Sequence, residues 1–142
     1  MIVLDTTVLV YAVGTDHPLR EPCRRVLAAH ADGRVDATTT VEVIQEFAHV
    51  RAQRRSRMDA AALARQYRAA FALLVTGPED LDLGWTLFER HPGLGAFDAI
   101  LAAVALNRHA EALVSGDRAY SEIAGLPWID PGTPAVDRLL RA

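Results

Sequence analysis

Residues 93–117 read GLGAFDAILAAVALNRHAEALVSGD. A glycine-rich break opens the stretch, and an almost wholly apolar helix follows, carrying one acid, Asp98. After a second short break comes ALVS (112–115), which has the length and composition of a fully buried strand, and then Gly116 and Asp117. A helix that feeds straight into a short buried strand is the second half of a crossover between parallel strands. One residue does not fit the packing. A lone carboxylate in so apolar a helix loses its hydration on burial and gains nothing in return unless it has a partner.

The same alternation continues in both directions. MIVLD at the start gives a strand over Ile2–Leu4 that runs into a turn. Leu19, Cys23, Val26, Leu27 and His30 follow helical spacing, with Pro22 in the first turn, where proline is tolerated. GRVDATT yields a second strand near Val35–Thr38. Next come a helix from Val41 to about Arg51 with Val43, Phe47 and Val50 on one stripe, and another from about Arg57 to Leu73. TGPED (76–80) breaks the chain, and Leu81, Trp85 and Phe88 mark the next helix. Beyond Asp117 the spacing predicts a short helix, a small strand at Trp128–Ile129 and a terminal helix bearing Val136, Leu139 and Leu140. There is no internal repeat and no linker long enough to divide the chain. The expectation is one domain over residues 1–142, a three-layer α/β/α sandwich around a short parallel sheet.

Composition narrows the classes further. Hydrophobic residues make up 51% of the 142, enough for a single core, and no apolar run is long enough to span a membrane. Cys23 is the only cysteine, which excludes an internal disulfide, and no basic leader precedes the first strand. These features lead to the expectation of a cytoplasmic protein without a membrane partner. The net charge of −3 argues against a general nucleic-acid coat protein. All fifteen basic residues are arginine, so every mechanism that needs a lysine is removed.

In open parallel sheets, sites form at the carboxyl ends of the strands. Asp5 follows the first strand directly, and Asp117 lies two residues past ALVS. Glu42 stands in the first turn of the helix after the second strand, and Asp98 near the start of a helix that should run antiparallel to ALVS. Four acids from four segments therefore map to one edge. Each also has a structural reading: Asp5 and Asp117 as helix caps, Thr39 with Glu42 as a capping box, and Asp98 as a partner of its own helix dipole. Taken together these readings are strained. Two carboxylates ~4 Å apart repel by about 4 kcal/mol at an effective dielectric near 20, more than any one cap contributes. Convergence of the acids calls for a positive group among them, and oxygen donors suit a hard divalent cation such as Mg²⁺ or Mn²⁺. Zinc fits poorly, because the five histidines are scattered and Cys23 has no partner cysteine. Glu46, one turn after Glu42, approaches the same pocket or pairs locally with an arginine.

IVLDTTVLVYA, TTTVEVIQEF, GAFDAILAA and LVSGDRAY, in that order and at the expected spacing, resemble PIN-domain ribonucleases, most closely the VapC-type toxins of bacterial toxin–antitoxin pairs. The resemblance covers nearly the whole chain. It implies a metal-dependent endoribonuclease with an acidic pocket for Mg²⁺ or Mn²⁺, and places acid roles on Asp5, Glu42, Asp98 and Asp117. Thr6 and Ser115 match its supporting hydroxyl positions. Where relatives often carry a further acid, this chain has Ala119, which puts a second metal site in doubt. The resemblance also implies a cognate antitoxin whose tail fills the acidic groove, and a homodimer. Arg51, Arg54, Arg55 and Arg57 cluster between two helices and read either as an RNA-gripping ridge or as a solvated helix face. Rival readings are another magnesium-dependent phosphotransfer or phosphatase enzyme, and a non-catalytic PIN-like binding module. A phosphotransfer receiver needs a late lysine, and the phosphatase pattern needs an aspartate where Thr7 stands. The presence of all four acids weighs against the binding module.

Overall fold

A computed structural model describes residues 1–141. Its four strands are β1 (Ile2–Leu4), β2 (Ala37–Thr38), β3 (Ala112–Val114) and β4 (Trp128–Ile129), in the order β2-β1-β3-β4 and parallel throughout. Ile2 aligns with both Ala37 and Ala112, so β1 is central and its three residues are buried. A continuous apolar run without alternation is what a strand covered on both faces requires.

The chain leaves β1 for β2 on one side and then crosses to β3 on the other. Right-handed crossovers in opposite directions put helices on both faces, as the three-layer expectation requires. The reversal also opens a crevice at the carboxyl ends of β1 and β3, the place where open α/β sheets bind ligands. The helices are α1 (Thr6–Val13), α2 (Arg20–Ala31), α3 (Val41–Arg54), α4 (Arg57–Ala70), α5 (Pro78–Arg90), α6 (Ala96–Asn107) and α7 (Pro134–Arg141). Among the described residues, no helix is long and apolar enough to cross a membrane.

Three expectations need correction. The turn expected after β1 is helix α1, in which Thr6, Val8, Leu9 and Ala12 are buried. Its sequence TTVLVYAV is rich in β-branched residues and apolar nearly all round, so neither propensity nor amphipathic spacing reveals it. Helix α4 ends at Ala70, three residues short of Leu73, because the chain turns extended at Phe71. The cap of α3 is Thr40, whose hydroxyl accepts the Val43 N–H at 3.3 Å. Thr39 is instead fully buried and donates to the Leu4 carbonyl at 2.7 Å.

The α3–α4 hairpin is tied to the sheet at its base. Thr38 donates its hydroxyl to the Ala72 carbonyl at 2.6 Å, and the Leu74 N–H returns to the Thr39 carbonyl at 2.9 Å. An isolated parallel bridge between Thr40 and Leu74 completes the clasp. Helices α5 and α6 then pack closely: Gly84 lies so near α6 that a Cβ there would stand 3.1 Å from the Ile100 Cα.

Candidate active site

Asp5 continues the β1 ladder through its N–H, which donates to the Val114 carbonyl at 3.0 Å, so its side chain emerges at the end of the central strand. It stands at the N-cap position of α1 but makes no cap bond. Its carboxylate accepts instead from the hydroxyls of Ser115 at 2.7 Å, Thr7 at 3.1 Å and Tyr120 at 3.3 Å. Burial pushes its pKa up, the hydrogen bonds from Ser115 and Thr7 oppose that, and nearby Glu46 adds to the rise. The cap reading therefore fails for Asp5.

Asp98 occupies the first turn of α6 and faces Asp5, Asp117, Glu46 and Tyr120. Its pKa is pushed up to about 6, by burial first and then by the Asp5 charge, with a hydrogen bond from Tyr120 pulling the other way. The helix dipole alone does not answer these like charges. Asp117 caps the 3-10 turn Arg118–Glu122, its Oδ1 accepting the Ala119 N–H at 2.9 Å, and Ser115 accepts the Asp117 N–H at 3.0 Å. So Asp117 is both a cap and a wall of the pocket, and Ser115 links it to Asp5.

The two glutamates of α3 divide differently from the sequence expectation. Glu46 accepts the Thr6 hydroxyl at 2.7 Å and acts electrostatically on both Asp5 and Asp98. Glu42 lies one helical turn away and accepts the Thr76 hydroxyl at 3.1 Å. Asp5, Glu46, Asp98 and Asp117 line one cleft of about 280 Å³, with Arg54 on its wall. Glu42 lines a neighbouring, mostly apolar groove of about 250 Å³ together with Leu81, Trp85 and Phe97, and Asp5, Glu46 and Asp98 close one side of it.

The four arginines also separate. Arg51 donates to Asp59 at 2.6 Å and to the Val13 carbonyl at 3.2 Å, so it is committed to the fold and not to a ridge. Arg54 reaches the acid cleft, and Arg55 and Arg57 are exposed. Sequence reasoning missed Thr7 and Tyr120. A threonine two residues past an acid and a tyrosine three past another carry no signal until the fold brings them to one carboxylate.

The donor set fits a hard divalent ion. Apart from Arg54 on the wall, the polar side chains lining the cleft are carboxylates and hydroxyls, and the mutual repulsion of the acids is the kind a cation relieves. Among the described residues no three acids, histidines or cysteines stand close enough together to hold a metal ion between them. Mg²⁺ needs no such trio, since it keeps several waters and binds through one or two carboxylates.

Comparison with known proteins agrees with this geometry. The PIN domain family matches residues 2–126. Ribonuclease VapC7 of Mycobacterium tuberculosis is 52% identical over 146 residues, spanning 99% of this chain and 98% of that protein. Ribonuclease VapC23 of the same organism is 38% identical over 110 residues, spanning 76% and 86%. Among solved structures, VapBC2 from Rickettsia felis, bound to a DNA fragment from its promoter, matches with a TM-score of 0.73 at 16% identity. It covers 91% of this chain and 98% of the other. VapC20 of M. tuberculosis, a sarcin–ricin loop cleaving toxin, matches with a TM-score of 0.70 at 16% identity over 89% and 98%. At such identities the two structures speak for the fold alone. PIN-domain VapC ribonucleases depend on a divalent metal ion. By its matched domain, its near full-length relative and the acids at its switch point, the chain belongs to the PIN-domain family, as a ribonuclease of the VapC type.

Proposed function

We propose that the cleft at the ends of β1 and β3 hydrolyses RNA phosphodiester bonds with Mg²⁺ or Mn²⁺, as the toxin of a toxin–antitoxin pair. The observation that carries this reading is the convergence of Asp5, Glu46, Asp98 and Asp117, drawn from four segments, on one cleft. Asp5, Asp98 and Asp117 would hold the ion, directly or through water. When bound, a divalent ion offsets charge on the phosphate and lowers the pKa of a water molecule. The chain's own groups do the rest. Ser115 and Thr7 fix the Asp5 carboxylate, and Thr6 fixes Glu46, which orients the attacking water and takes its proton. Glu42 supports the groove side, where RNA enters. Arg54 supplies positive charge to a flanking phosphate, which an all-acid cleft would otherwise repel.

The groove beside the acids suits an antitoxin tail. Leu81, Trp85 and Phe97 of its lining are 40%, 46% and 76% exposed, and a row of carboxylates stands at the groove's inner side. An apolar segment carrying an arginine would satisfy both. A homodimer is part of the same reading, and light scattering of the purified chain, free and antitoxin-bound, measures it.

The reading is tested with purified chain and structured RNA. Cleavage should require Mg²⁺ or Mn²⁺ and stop with EDTA. Glu46→Gln should slow it at least tenfold more than Glu42→Gln. Metal-independent cleavage would overturn the metal assignment, and equal losses would return Glu42 to an equal role.

A further inference from the structure

Tyr120 is completely buried in the 3-10 turn that follows Asp117. Buried tyrosines need a partner for the hydroxyl, and the partners here are unusual. The phenol donates to Asp5 Oδ1 at 3.3 Å and stands beside the Asp98 carboxylate. The two carboxylates come from different elements, the end of β1 and the first turn of α6, and Tyr120 lies beside both. The oxygens of Asp5 are divided: Oδ2 accepts from Ser115 and Thr7, while Oδ1 has the phenol. Tyr120 thus sets, with Ser115 and Thr7, the plane of the Asp5 carboxylate.

We propose that Tyr120 is a positioning residue of the metal centre, its buried O–H holding the Asp5 carboxylate, beside Asp98, in the orientation that receives the ion. The inference rests on the metal reading of the cleft given above. A phenol suits this task because it adds a donor without adding charge. A phenol is protonated at neutral pH in any case, so it does not join the repulsion. The turn that carries it contributes no carboxylate at Ala119. Its two contributions to the cleft are one charged ligand, Asp117, and one neutral donor, Tyr120. Partners that orient metal ligands from behind commonly contribute ten- to hundredfold in metal affinity.

Tyr120→Phe keeps the ring and removes only the donor. Isothermal titration of the folded, full-length variant with MnCl₂ should show affinity lowered about tenfold or more. RNA cleavage should fall at low Mn²⁺ and recover as Mn²⁺ is raised. Tyr67→Phe is the control: that hydroxyl is also buried but donates to the Leu9 carbonyl at 3.0 Å, away from the acids, so Mn²⁺ affinity should not change. Affinity of Tyr120→Phe within twofold of the parent would reduce Tyr120 to packing and overturn the inference. If the parent itself neither binds Mn²⁺ nor cleaves RNA, it is the metal reading that falls. Should Tyr120→Phe fail to fold, the parent labelled with ¹³C at the tyrosine Cζ decides. The Tyr120 resonance should shift on adding Mg²⁺, and an unmoved resonance with Mg²⁺ bound would overturn the inference.

Discussion

Asp80 and Asp98 hold the same place in two neighbouring helices, the third residue of α5 and of α6, each helix opening on a glycine. Their surroundings are opposite. Asp80 is fully buried, yet it accepts the Gly77 N–H at 2.8 Å, Asn107 at 2.9 Å, and both terminal nitrogens of Arg108 at 2.8 and 3.0 Å. Burial alone would raise its pKa, but those partners outweigh burial and hold it below the usual carboxylate range. Asp98 is less buried, faces other acids, and is pushed up to about 6. One helix start is a finished joint between α5 and the end of α6. The other is kept short of positive charge, a deficit that the proposed cation would relieve.

Substitution at Asp98 should sharpen the contrast most. Asp98→Asn should lower RNA cleavage by about 10²–10³-fold, as loss of a group stabilising developing charge does. The same change should raise the stability of the EDTA-treated protein at pH 7.5 by about 1–2 kcal/mol, since it removes an acid whose ionisation the fold opposes. Thermal unfolding in EDTA measures it. Destabilisation instead would break the comparison.

Asp80→Ala should act on folding alone. Leaving Arg108 unpaired should cost about 2–4 kcal/mol in urea unfolding, the lower end allowing for the partial exposure of Arg108. Cleavage per folded molecule should be unchanged.

A smaller effect separates the two acids by pH. The Asp98 carboxyl releases its proton near pH 3.8 when unfolded and near 6 when folded. Between those values the folded state holds more protons, so this group's contribution makes metal-free stability fall as pH rises through the window. Asp80 has the opposite sign: its folded pKa is lowered, so its contribution is present above the unfolded value and is lost as pH falls through the folded one. Urea midpoints from pH 4 to 7 in EDTA should therefore show a shallower decline for Asp98→Asn than for the parent. The smallest effect belongs to the rim. Arg54→Glu with Arg55→Glu should weaken RNA binding and reduce the slope of log affinity against log salt by roughly one or two. An unaltered slope would make both arginines a solvated face.

The sheet was legible because strands buried on both faces are short unbroken apolar runs, as IVL and ALV are. Asp5, Asp98 and Asp117 were legible because strand ends converge once the sheet is parallel. Helix α1 was not, because a helix covered all round shows no polar stripe. Helical spacing at Leu81, Trp85 and Phe88 correctly marks α5 but says nothing of which face is covered. Inward instead point Asp80, Gly84 and Leu87. Glu42 and Glu46 share one helix a turn apart, and only the meeting of α3 with Thr6 of α1 puts Glu46 among the acids. Tyr120 and Arg108 act through partners more than twenty residues away, which no local pattern encodes.

The threonine clasp at residues 38–40 has a consequence for the acid cleft. Glu42, Glu46 and Arg54 ride on a hairpin closed at its base by Thr38, Thr39 and the Thr40–Leu74 bridge, whereas Asp5 and Asp117 belong to the sheet. The clasp is thus the joint that fixes where Glu46 stands relative to Asp5. A change at Thr38 or Thr39 would therefore reach the acid cleft through the hairpin, from the side opposite the sheet residues Asp5 and Asp117.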